Sequence, residues 1–501
     1  MKTTTSLLNI SWIILVLMGR GAFGACFDVK TFGAKGDGIT DDHDAIQNAI
    51  DATVLSPHPV VCFPAGTYRV THAIRPEHDN LTLQGGPGVT IVADPDMIHN
   101  ATDFTYPEAI LVNKGDPVEQ VTGVTIQSLA IQVKAGRSSV VVPGHPAPTS
   151  TGAIQLNFCV NCVVSNVTIT YTGPASTPPG DLDGIATSQG TTGRIQGVVV
   201  SNIPKAGIYL SDGTHDLIVD QCEVKYTQGP LDQAGFSITG SQRVAVMRSY
   251  SHDNGGPGIL ILVQDATPNT DIVVESSQFN NNGEEGILLS SGVDGNVSTR
   301  VAILGVQALN NAWDGILVEA GNQVTIADTE VGYSGIAGIR IDNVPIVANG
   351  FPRATVIQIT NPNVHDSGRL VGIPESGIGL NGAQQVSIAG GRVSRTGTLI
   401  EGYGIGLYRN KYGLASDYVN IKGVDATIGV QSPPVATIDE SGVFDSGAAV
   451  QHGYYELSAY GPPDGVLFAP VGSVYYDLSG HALYQKQSGW NTTVWVLIQV
   501  I

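Results

Sequence analysis

Three charged residues, Glu319, Arg340 and Asp342, recur at related positions of neighbouring repeats in the second half of the chain. Each lies two or four residues after the glycine of a short repeated phrase, where most repeats carry small or apolar residues. Two carboxylates on adjacent repeats would repel each other and push one pKa upward, which suits a general acid or base. An arginine beside them could hold a substrate carboxylate. These residues predict acid–base chemistry on a substrate that carries a carboxylate.

Further residues border the same positions. Asp314 and Glu285 come immediately before the glycines of their repeats, and Trp313 offers a ring on which a sugar could stack. We therefore predict catalytic roles for Glu319, Asp342, Arg340 and Asp314, and substrate-binding roles for Trp313, Glu285 and Tyr408. The alternative is a solvated Glu–Arg–Asp surface network that contributes little. The site would then lie elsewhere on the molecule, and the turn that carries Asp181 and Asp183 is the next candidate.

A repeated phrase of the form glycine, apolar, any, apolar must position these residues. It begins at Gly207, Gly235, Gly258, Gly286, Gly315, Gly338, Gly377 and Gly404, with looser copies at Gly152 and Gly184. A second alternating segment recurs between the phrases, as in "VAV" at 244 and "IVV" at 272. Strands repeated at spacings of 23 to 39 residues indicate a β-solenoid, in which each coil buries its apolar face against its neighbours. Residues two and four after each glycine should then point outward.

Asparagines are expected to hold the turns of this solenoid in register. Asn254, Asn282 and Asn311 each lie four residues before the glycine of their own coil. If the coils stack about 4.8 Å apart, the side-chain amides can form a hydrogen-bonded ladder. We interpret the ladder as structural.

An acidic stretch near the N-terminus, "FGAKGDGITDDHDAIQNAID", is another candidate for chemistry, either as a metal loop or as a carboxylate cluster. Its carboxylates lack the alternating ligand spacing of an EF-hand. Apolar residues at 45, 46, 49 and 50 instead follow helical spacing, with Thr40 or Asp41 available as N-cap. The stretch predicts a short amphipathic helix that covers the apolar end of the first coil, and "VVCFPAGTYRV" predicts the first strand.

Composition excludes several classes of partner. The 501 residues include 24 Lys plus Arg against 44 Asp plus Glu, for a formal charge of −20. Such a surface repels nucleic acid and anionic membranes, so we expect neither as a partner. The 62 glycines and the low aromatic content of 6% favour short strands and tight turns.

The N-terminus predicts export. Lys2 precedes the apolar run Leu7–Met18, which is too short to span a bilayer, and the small residues of "GAFGA" follow. We expect a signal peptide over residues 1–25 and a secreted, periplasmic or extracellular protein. A lipid anchor on Cys26 is the alternative.

The five cysteines suit an oxidising compartment. There, Cys26–Cys62 and Cys159–Cys162 can form disulfides and leave Cys222 buried and free. The "CVNC" segment also resembles half of a zinc or redox site, although no second such pair accompanies it.

The segment "FDVKTFGAKGDGITDDHDAIQNAID", followed by "FPAGTYRV", resembles the N-terminal signature of the pectate-lyase-like right-handed parallel β-helix superfamily. This group includes polygalacturonases, rhamnogalacturonases, polysaccharide lyases, mannuronan C5-epimerases and phage tailspikes. The resemblance implies an all-β fold: a right-handed single-stranded parallel β-helix with a short N-terminal capping helix and a small C-terminal β module. It is specific for the fold rather than for one reaction.

Two members of the group can be compared motif by motif. "SYSHDNGGPGILI" and "SQFNNNGEEGILL" are similar to coils of mannuronan C5-epimerases, but "QAGFSITGS" lacks the Asp and His of their Tyr-Gly-x-Asp-Pro-His-Glu motif. Polygalacturonases would show Asn-Thr-Asp, Asp-Asp and His-Gly motifs, of which only a faint echo, "DLDGI", is present. The likeness therefore extends to fold and substrate class and no further.

The chain divides into a β-helix over residues 26–410, whose first part, 26–70, forms the cap and first strand, and a β-rich module over 411–501. The module resembles the short C-terminal β modules of some phage tail proteins. It is expected to cap the solenoid; the alternatives are sugar binding through Trp490 or Trp495, and trimerisation.

Together these features predict a secreted enzyme that cleaves or modifies an extended, uronic-acid-containing polysaccharide, with a polysaccharide lyase favoured. An inverting glycoside hydrolase of polygalacturonase-like type and a non-catalytic glycan-binding adhesin are the alternatives. A lyase would use Ca²⁺ or arginine to neutralise the substrate carboxylate; beyond that the sequence indicates no definite cofactor. The expected partner is the polysaccharide, and the protein is expected to be a monomer or a homotrimer.

Overall fold

A computed structural model describes most of the chain with its side chains. The described residues are 26–56, 59–94, 108–113, 119–134, 151–173, 182–229, 233–263, 267–291, 296–342, 354–370, 377–394, 404–408, 416, 419–425, 438–439, 455–459, 461–464, 471–488 and 494–500. The signal peptide predicted for residues 1–25, Asp181 and Trp490 lie outside this set.

The fold is a right-handed parallel β-helix with three parallel sheets, and the central coils contribute a strand to each of them. One coil shows the order: Gln242–Met247 lies in sheet 1, Tyr250–His252 in sheet 2 and Ile259–Leu262 in sheet 3. Each strand pairs with its counterpart in the next coil, as in Val244↔Ile272 and Ile259↔Ile287. The sequence repeat predicted two strands per coil, and the structure adds the short strand of sheet 2.

The strands of sheet 1 are Phe27–Asp28, Val60–Cys62, Thr82–Gln84, Thr125–Gln127, Cys162–Ser165, Gly193–Gln196, His215–Asp220, Gln242–Met247, Thr270–Glu275, Thr299–Leu304, Asn322–Ala327, Thr355–Thr360, Gln384–Ala389, Asn420–Asp425, Tyr455–Ala459 and Val474–Asp477. Those of sheet 2 are Asp37–Asp41, Gly66–Val70, Val89–Ala93, Ala130–Val133, Thr168–Tyr171, Val199–Ser201, Glu223–Lys225, Tyr250–His252, Gln278–Asn280, Gln307–Leu309, Glu330–Gly332, Asn363–His365 and Arg392–Ser394. Those of sheet 3 are Ile110–Val112, Thr151–Asn157, Leu182–Ser188, Ile208–Leu210, Phe236–Thr239, Ile259–Leu262, Ile287–Ser290, Ile316–Val318, Ile339–Asp342, Ile378–Asn381, Ile405–Tyr408 and Ile438–Asp439.

The remaining strands belong to two smaller elements. Val121–Thr122 pairs with Cys159–Val160 in a separate two-stranded sheet. At the C-terminal end, Ala482–Lys486 and Trp495–Val500 continue from Val474–Asp477 as antiparallel strands. None of the helices among the described residues has the length and apolar character needed to cross a bilayer.

The interior is filled by inward-pointing aliphatic side chains from all three sheets. Residues one and three after each glycine, such as Ile316 and Val318, have no exposed surface. The predicted asparagine ladder is present, because Asn254 Nδ2 donates to Asn282 Oδ1 and Asn282 Nδ2 donates to Asn311 Oδ1, each at 3.0 Å. These bonds satisfy buried amides and keep successive turns in register.

The predicted disulfides are also present. Cys26 is bonded to Cys62, and Cys159 is bonded to Cys162 within "CVNC". Cys222 is a buried free thiol, as predicted.

The one α-helix of the described residues, His43–Asp51, follows a 3₁₀ turn at Val29–Phe32 and covers the first coil with buried Ile46, Ala49 and Ile50. Two details differ from prediction. The N-cap is Asp42 rather than Thr40 or Asp41, and its carboxylate accepts bonds from the backbone amides of residues 35 and 36 instead of capping the helix. The strands Phe27–Asp28 and Asp37–Asp41 precede the one predicted to be first.

We predict that Ile46→Asp lowers the free energy of unfolding by several kcal/mol, because it forces a charge against the apolar end of the first coil. Leu55→Asp is the control, since Leu55 lies just after the same helix and is 92% exposed. Thermal melting of both variants checks the prediction. An unchanged melting temperature for Ile46→Asp would contradict the capping role.

Candidate functional site

Sheet 3 brings the predicted charged residues together on its outer surface. The register Leu317↔Arg340 and Val318↔Ile341 places Arg340 above an apolar side chain, and Glu319 next to Asp342 on the neighbouring coil. Arg340 and Asp342 belong to Ile339–Asp342, and Glu319 directly follows Ile316–Val318. The coil register read from the repeat therefore predicted this juxtaposition correctly.

Arg340 is the centre of the group. Its Nε and Nη2 donate to Asp314 Oδ2 at 3.0 and 2.6 Å, and its Nη1 donates to Asp342 Oδ2 at 3.1 Å. The side chain of Asp314 is fully buried, whereas those of Arg340 and Asp342 are 17% and 19% exposed. The guanidinium thus joins a buried carboxylate to one that solvent and substrate can reach.

Asp314 is held from two sides. Its Oδ1 accepts the backbone amide of Ala337 at 2.8 Å, while Oδ2 receives Arg340. Burial raises the pKa of Asp314, and the positive charge of Arg340 together with the Ala337 amide opposes that rise. Removing the arginine would leave an uncompensated buried carboxylate.

Glu285 lies one coil away and is a second buried carboxyl group of the site. It is 1% exposed, and its Oε2 has no hydrogen-bond partner among the residues that the structure describes. The Gly286 amide bonds to the Asp314 carbonyl at 3.0 Å, so the residues that precede the two glycines stack directly. Burial, followed by the negative charge of Asp314, raises the pKa of Glu285 to about 8. At neutral pH this carboxyl group carries a proton.

The remaining predicted residues lie around this centre. The Oε2 of half-buried Glu319 accepts the hydroxyl of Ser290. Trp313 is 40% exposed beside Asp314. Tyr408 pairs in register with Asn381, which pairs with Asp342, so Tyr408 lies two coils from the acidic group; its side chain is outside the described residues.

Two features of the site were not predicted. Ser290 holds Glu319, and Glu284, at 4% exposure, adds a further buried acid next to Glu285. The doubled glutamate of "NNNGEEG" was the available sequence signal, because two acids before an inward-facing glycine are unusual in this repeat.

The alternative position contains another buried acid, Asp183, which lies in the strand Leu182–Ser188 and not in the predicted turn. Asp183 has no exposed surface, and its Oδ1 accepts the Ala206 amide at 2.9 Å. Burial raises the pKa of Asp183 to about 7, and the charge of Lys205 opposes the rise. The Lys205 ammonium also lies 5.2 Å from the centre of the Tyr209 ring. Asp183 precedes its glycine as Glu285 and Asp314 do, so it occupies the same position four to five coils away.

The outer side of sheet 3 is partly covered. Tyr209, Leu260 and Leu317 point outward by strand alternation, yet they are only 6%, 4% and 3% exposed. Trp313 and the more accessible Arg340 and Asp342 therefore mark where the face opens. The arrangement brings carboxyl groups, a guanidinium and an aromatic ring together, and side chains of these types can perform acid–base chemistry on a sugar. Among the described residues no three His, Cys, Asp or Glu side chains are grouped as metal ligands.

The chain is similar in sequence to two curated proteins over part of its length. The mannuronan C5-epimerase AlgE2 of Azotobacter vinelandii is 24% identical over 274 residues, which cover 52% of this chain and 25% of the relative. The plasmin and fibronectin-binding protein A of Streptococcus pneumoniae (strain ATCC BAA-255 / R6) is 32% identical over 157 residues, or 29% of this chain and 21% of that protein. The chain thus spans about a quarter of the length of these relatives.

A solved structure shares the fold. The A-module of the Azotobacter vinelandii mannuronan C-5 epimerase AlgE6 superposes with a TM-score of 0.52 at 18% identity, covering 88% of this chain and 99% of the module. Residues 26–288, more than half of the chain, match the family described as rhamnogalacturonase A/epimerase, pectate lyase-like. The chain belongs to this family.

Proposed function

We propose that the chain is an exported enzyme that modifies an extended, uronate-containing polysaccharide, and that it acts as a lyase. One observation carries the proposal: the buried carboxyl group of Glu285, with an unpartnered oxygen and a pKa of about 8, lies beside the Asp314–Arg340–Asp342 chain. A purely structural network would satisfy its buried groups. Strongly perturbed carboxyl groups next to a reachable charge pair are instead typical of functional sites.

The exposed groups would perform the reaction. Glu319 or Asp342 takes the C5 proton of a uronate, and Arg340 holds the sugar carboxylate so that the developing negative charge is neutralised. The electron pair of the C5–H bond forms the C4–C5 double bond, the C4–O bond breaks, and the leaving oxygen receives a proton. Protonated Glu285, buried beneath these groups, reduces the negative charge of the cluster and so favours binding of the sugar carboxylate. Trp313 offers a stacking surface for a sugar ring at the edge of the site.

The relatives support the choice of substrate. AlgE2 and AlgE6 are named as mannuronan C5-epimerases, and both epimerisation and elimination begin with removal of the C5 proton. The epimerase motif is absent at "QAGFSITGS", so we assign the proton transfer to the acidic group rather than to that coil. The extended outer face of a parallel β-helix also suits a polymer better than a small metabolite.

We predict that Asp342→Asn and Glu319→Gln each lower turnover of alginate or polygalacturonate by at least about a hundredfold without loss of folding. Asp328→Asn is the matched control, because Asp328 is an exposed carboxylate that follows a strand of sheet 1. Ultraviolet absorbance of the unsaturated product measures the activity. Normal activity in both site variants would move the site to the position of Asp183.

Hydrolysis is the second candidate, and the charge of the site favours it. Glu319, Asp314 and Asp342 outnumber the single guanidinium of Arg340, which disfavours an anionic polymer. New reducing ends from a neutral glucan, without new ultraviolet absorbance, would replace the lyase by a hydrolase.

Binding without turnover is the third candidate, favoured by the similarity to a protein named for plasmin and fibronectin binding. Retained glycan or protein binding with no product from any uronate polymer or neutral glucan would support it over both enzymes.

A further inference from the structure

The outer surface of sheet 2 carries the same four-residue constellation twice. The first unit is Glu223, Tyr226, His252 and Asp253, and the second unit is Glu330, Tyr333, His365 and Asp366. In each unit the Glu and Tyr are three residues apart in one coil, and the His–Asp pair belongs to the next coil. Neither unit belongs to the acidic group on sheet 3.

In the first unit a histidine is held between two carboxylates and two aromatic rings. His252 Nε2 lies 3.1 Å from Glu223 Oε1, and its Nδ1 lies 2.7 Å from Asp253 Oδ2. The ring stacks on Tyr250 with centroids 4.0 Å apart, and Tyr226 meets it edge-on at 6.3 Å. The imidazole is thus fixed in place while Tyr226 stays 47% exposed.

The second unit places its side chains in the same order, with longer distances, with Asn363 where the first unit has Tyr250 and with Gly332 where it has Lys225. His365 Nε2 lies 3.6 Å from Glu330 Oε1, Nδ1 lies 3.5 Å from Asp366 Oδ2, and Tyr333 meets the ring edge-on at 5.0 Å. A Cβ on Gly332 would come within 2.4 Å of the His365 ring, so only glycine leaves room for the ring there. Tyr333 is 40% exposed.

The two tyrosines face outward for the same backbone reason. Tyr226 has φ of 59° and Tyr333 has φ of 55°, the left-handed conformation that bulky side chains rarely adopt. Asn202, Asp253, Asn281, Asn310 and Asp366 adopt the same conformation directly after their sheet 2 strands, so the turn of the fold sets it and holds both tyrosines at equivalent positions.

Polar side chains lie between the two units. The register Glu223↔Tyr250↔Gln278↔Gln307↔Glu330 runs through four coil steps, or roughly 19 Å at the usual spacing between strands. On the side of the second unit, Asn280 Nδ2 donates to Gln307 Oε1 at 3.2 Å, and Gln307 Nε2 donates to Glu330 Oε2 at 2.7 Å. We call this column, together with Asn280 and both units, the sheet 2 strip.

We propose that the sheet 2 strip is a second glycan-binding surface, which takes an extended neutral polysaccharide along the axis of the helix. Exposed tyrosines stack on sugar rings, while amides and carboxylates accept and donate hydrogen bonds to hydroxyl groups. The sugar rings of an extended chain follow one another at nearly the rise of one coil, so one chain can engage both tyrosines. The four carboxylates of the units outnumber the neighbouring cations Lys225 and Arg369, which disfavours polyuronates.

The proposal is independent of the chemistry assigned to sheet 3. It would hold for a lyase, for a hydrolase or for a protein without turnover, because it depends only on the residues of the strip. Its test is therefore a binding measurement rather than an activity.

Calorimetric titration of the whole protein with cellohexaose, xylohexaose and mannohexaose tests the strip. We expect at least one of these neutral hexasaccharides to bind, and Tyr226→Asn and Tyr333→Asn each to weaken that binding about tenfold. Asparagine tolerates the left-handed backbone, so the variants should keep their fold, which thermal melting verifies. The trisaccharide of the same sugar should bind more weakly and lose little in either single variant, because it can use the other unit.

Tyr476→Asn is the matched control, since Tyr476 also lies beside a histidine, His481, but in the C-terminal module. This variant should bind like the wild type. Failure of all three hexasaccharides to bind would overturn the proposal, as would binding that is unchanged when both Tyr226 and Tyr333 are replaced. Tighter binding of an oligogalacturonate than of every neutral hexasaccharide would overturn the assignment of the ligand class.

Discussion

Replacing Glu285 by glutamine is expected to make the protein progressively more stable than the wild type as the pH rises, by about 4 kcal/mol between pH 4 and pH 9. The carboxyl group has a pKa of about 8 in the folded protein against a model value of 4.5, because the fold buries it beside Asp314. Between these two values the unfolded chain loses the proton and the folded chain keeps it. The wild type therefore loses stability over this interval, and glutamine, which does not titrate, escapes the loss.

Denaturant titrations of both proteins at several pH values measure the effect. Glu223→Gln is the control with the opposite sign, because the hydrogen bond from Lys225 lowers the pKa of Glu223. That ion pair stabilises the protein above the unfolded pKa, and its contribution disappears as the pH falls through the folded pKa. If the unfolding free energies of Glu285→Gln and wild type changed in parallel with pH, Glu285 would be ionised in the folded protein at neutral pH. The proposal of a protonated carboxyl group at this position would then be wrong.

Much of the fold could be predicted because the coils of a solenoid repeat the same arrangement of strands and turns. The glycine phrase sets the coil register, and Asn254, Asn282 and Asn311 confirm it through direct amide-to-amide bonds. The strands of sheet 2 were not predicted, since segments such as Tyr250–His252 have three residues, too few for an alternating pattern to be recognised. Arg248, with φ of 46°, bends the chain between sheets 1 and 2 without the glycine that would signal such a bend.

The sequence allowed us to predict which residues of the site lie side by side, but not how deeply each of them is buried. Alternation placed Arg340 and Asp342 outward on one coil, and the structure agrees. Alternation cannot show how deeply a turn residue is buried, because that depends on neighbouring coils and on what covers the face. Glu285 was predicted at the edge of the site as a substrate-binding residue, whereas its 1% exposure places it beneath the accessible groups. Its protonation follows from that depth.

Arg340→Met is the second change expected to have a large effect, a loss of roughly 3 to 5 kcal/mol of stability at neutral pH. Methionine keeps the aliphatic part of the side chain but removes both hydrogen bonds to Asp314 Oδ2. The fully buried carboxylate of Asp314 then keeps the hydrogen bond from the Ala337 amide but loses the positive charge beside it. Water cannot replace the guanidinium at a side chain with no exposed surface. Denaturant titration against the wild type measures the loss.

Two further variants separate this cause from lost packing. Arg243 makes an equally close two-bond contact to Asp216, at 2.6 and 2.8 Å, but both partners are about half exposed. Arg243→Met should leave the denaturation midpoint nearly unchanged, because solvent screens exposed pairs. Adding Asp314→Asn to Arg340→Met should recover a large part of the lost stability, since it removes the uncompensated charge. If the double variant were as unstable as Arg340→Met alone, the loss would come from packing, and the Asp314–Arg340 pair would not be the electrostatic support of the site.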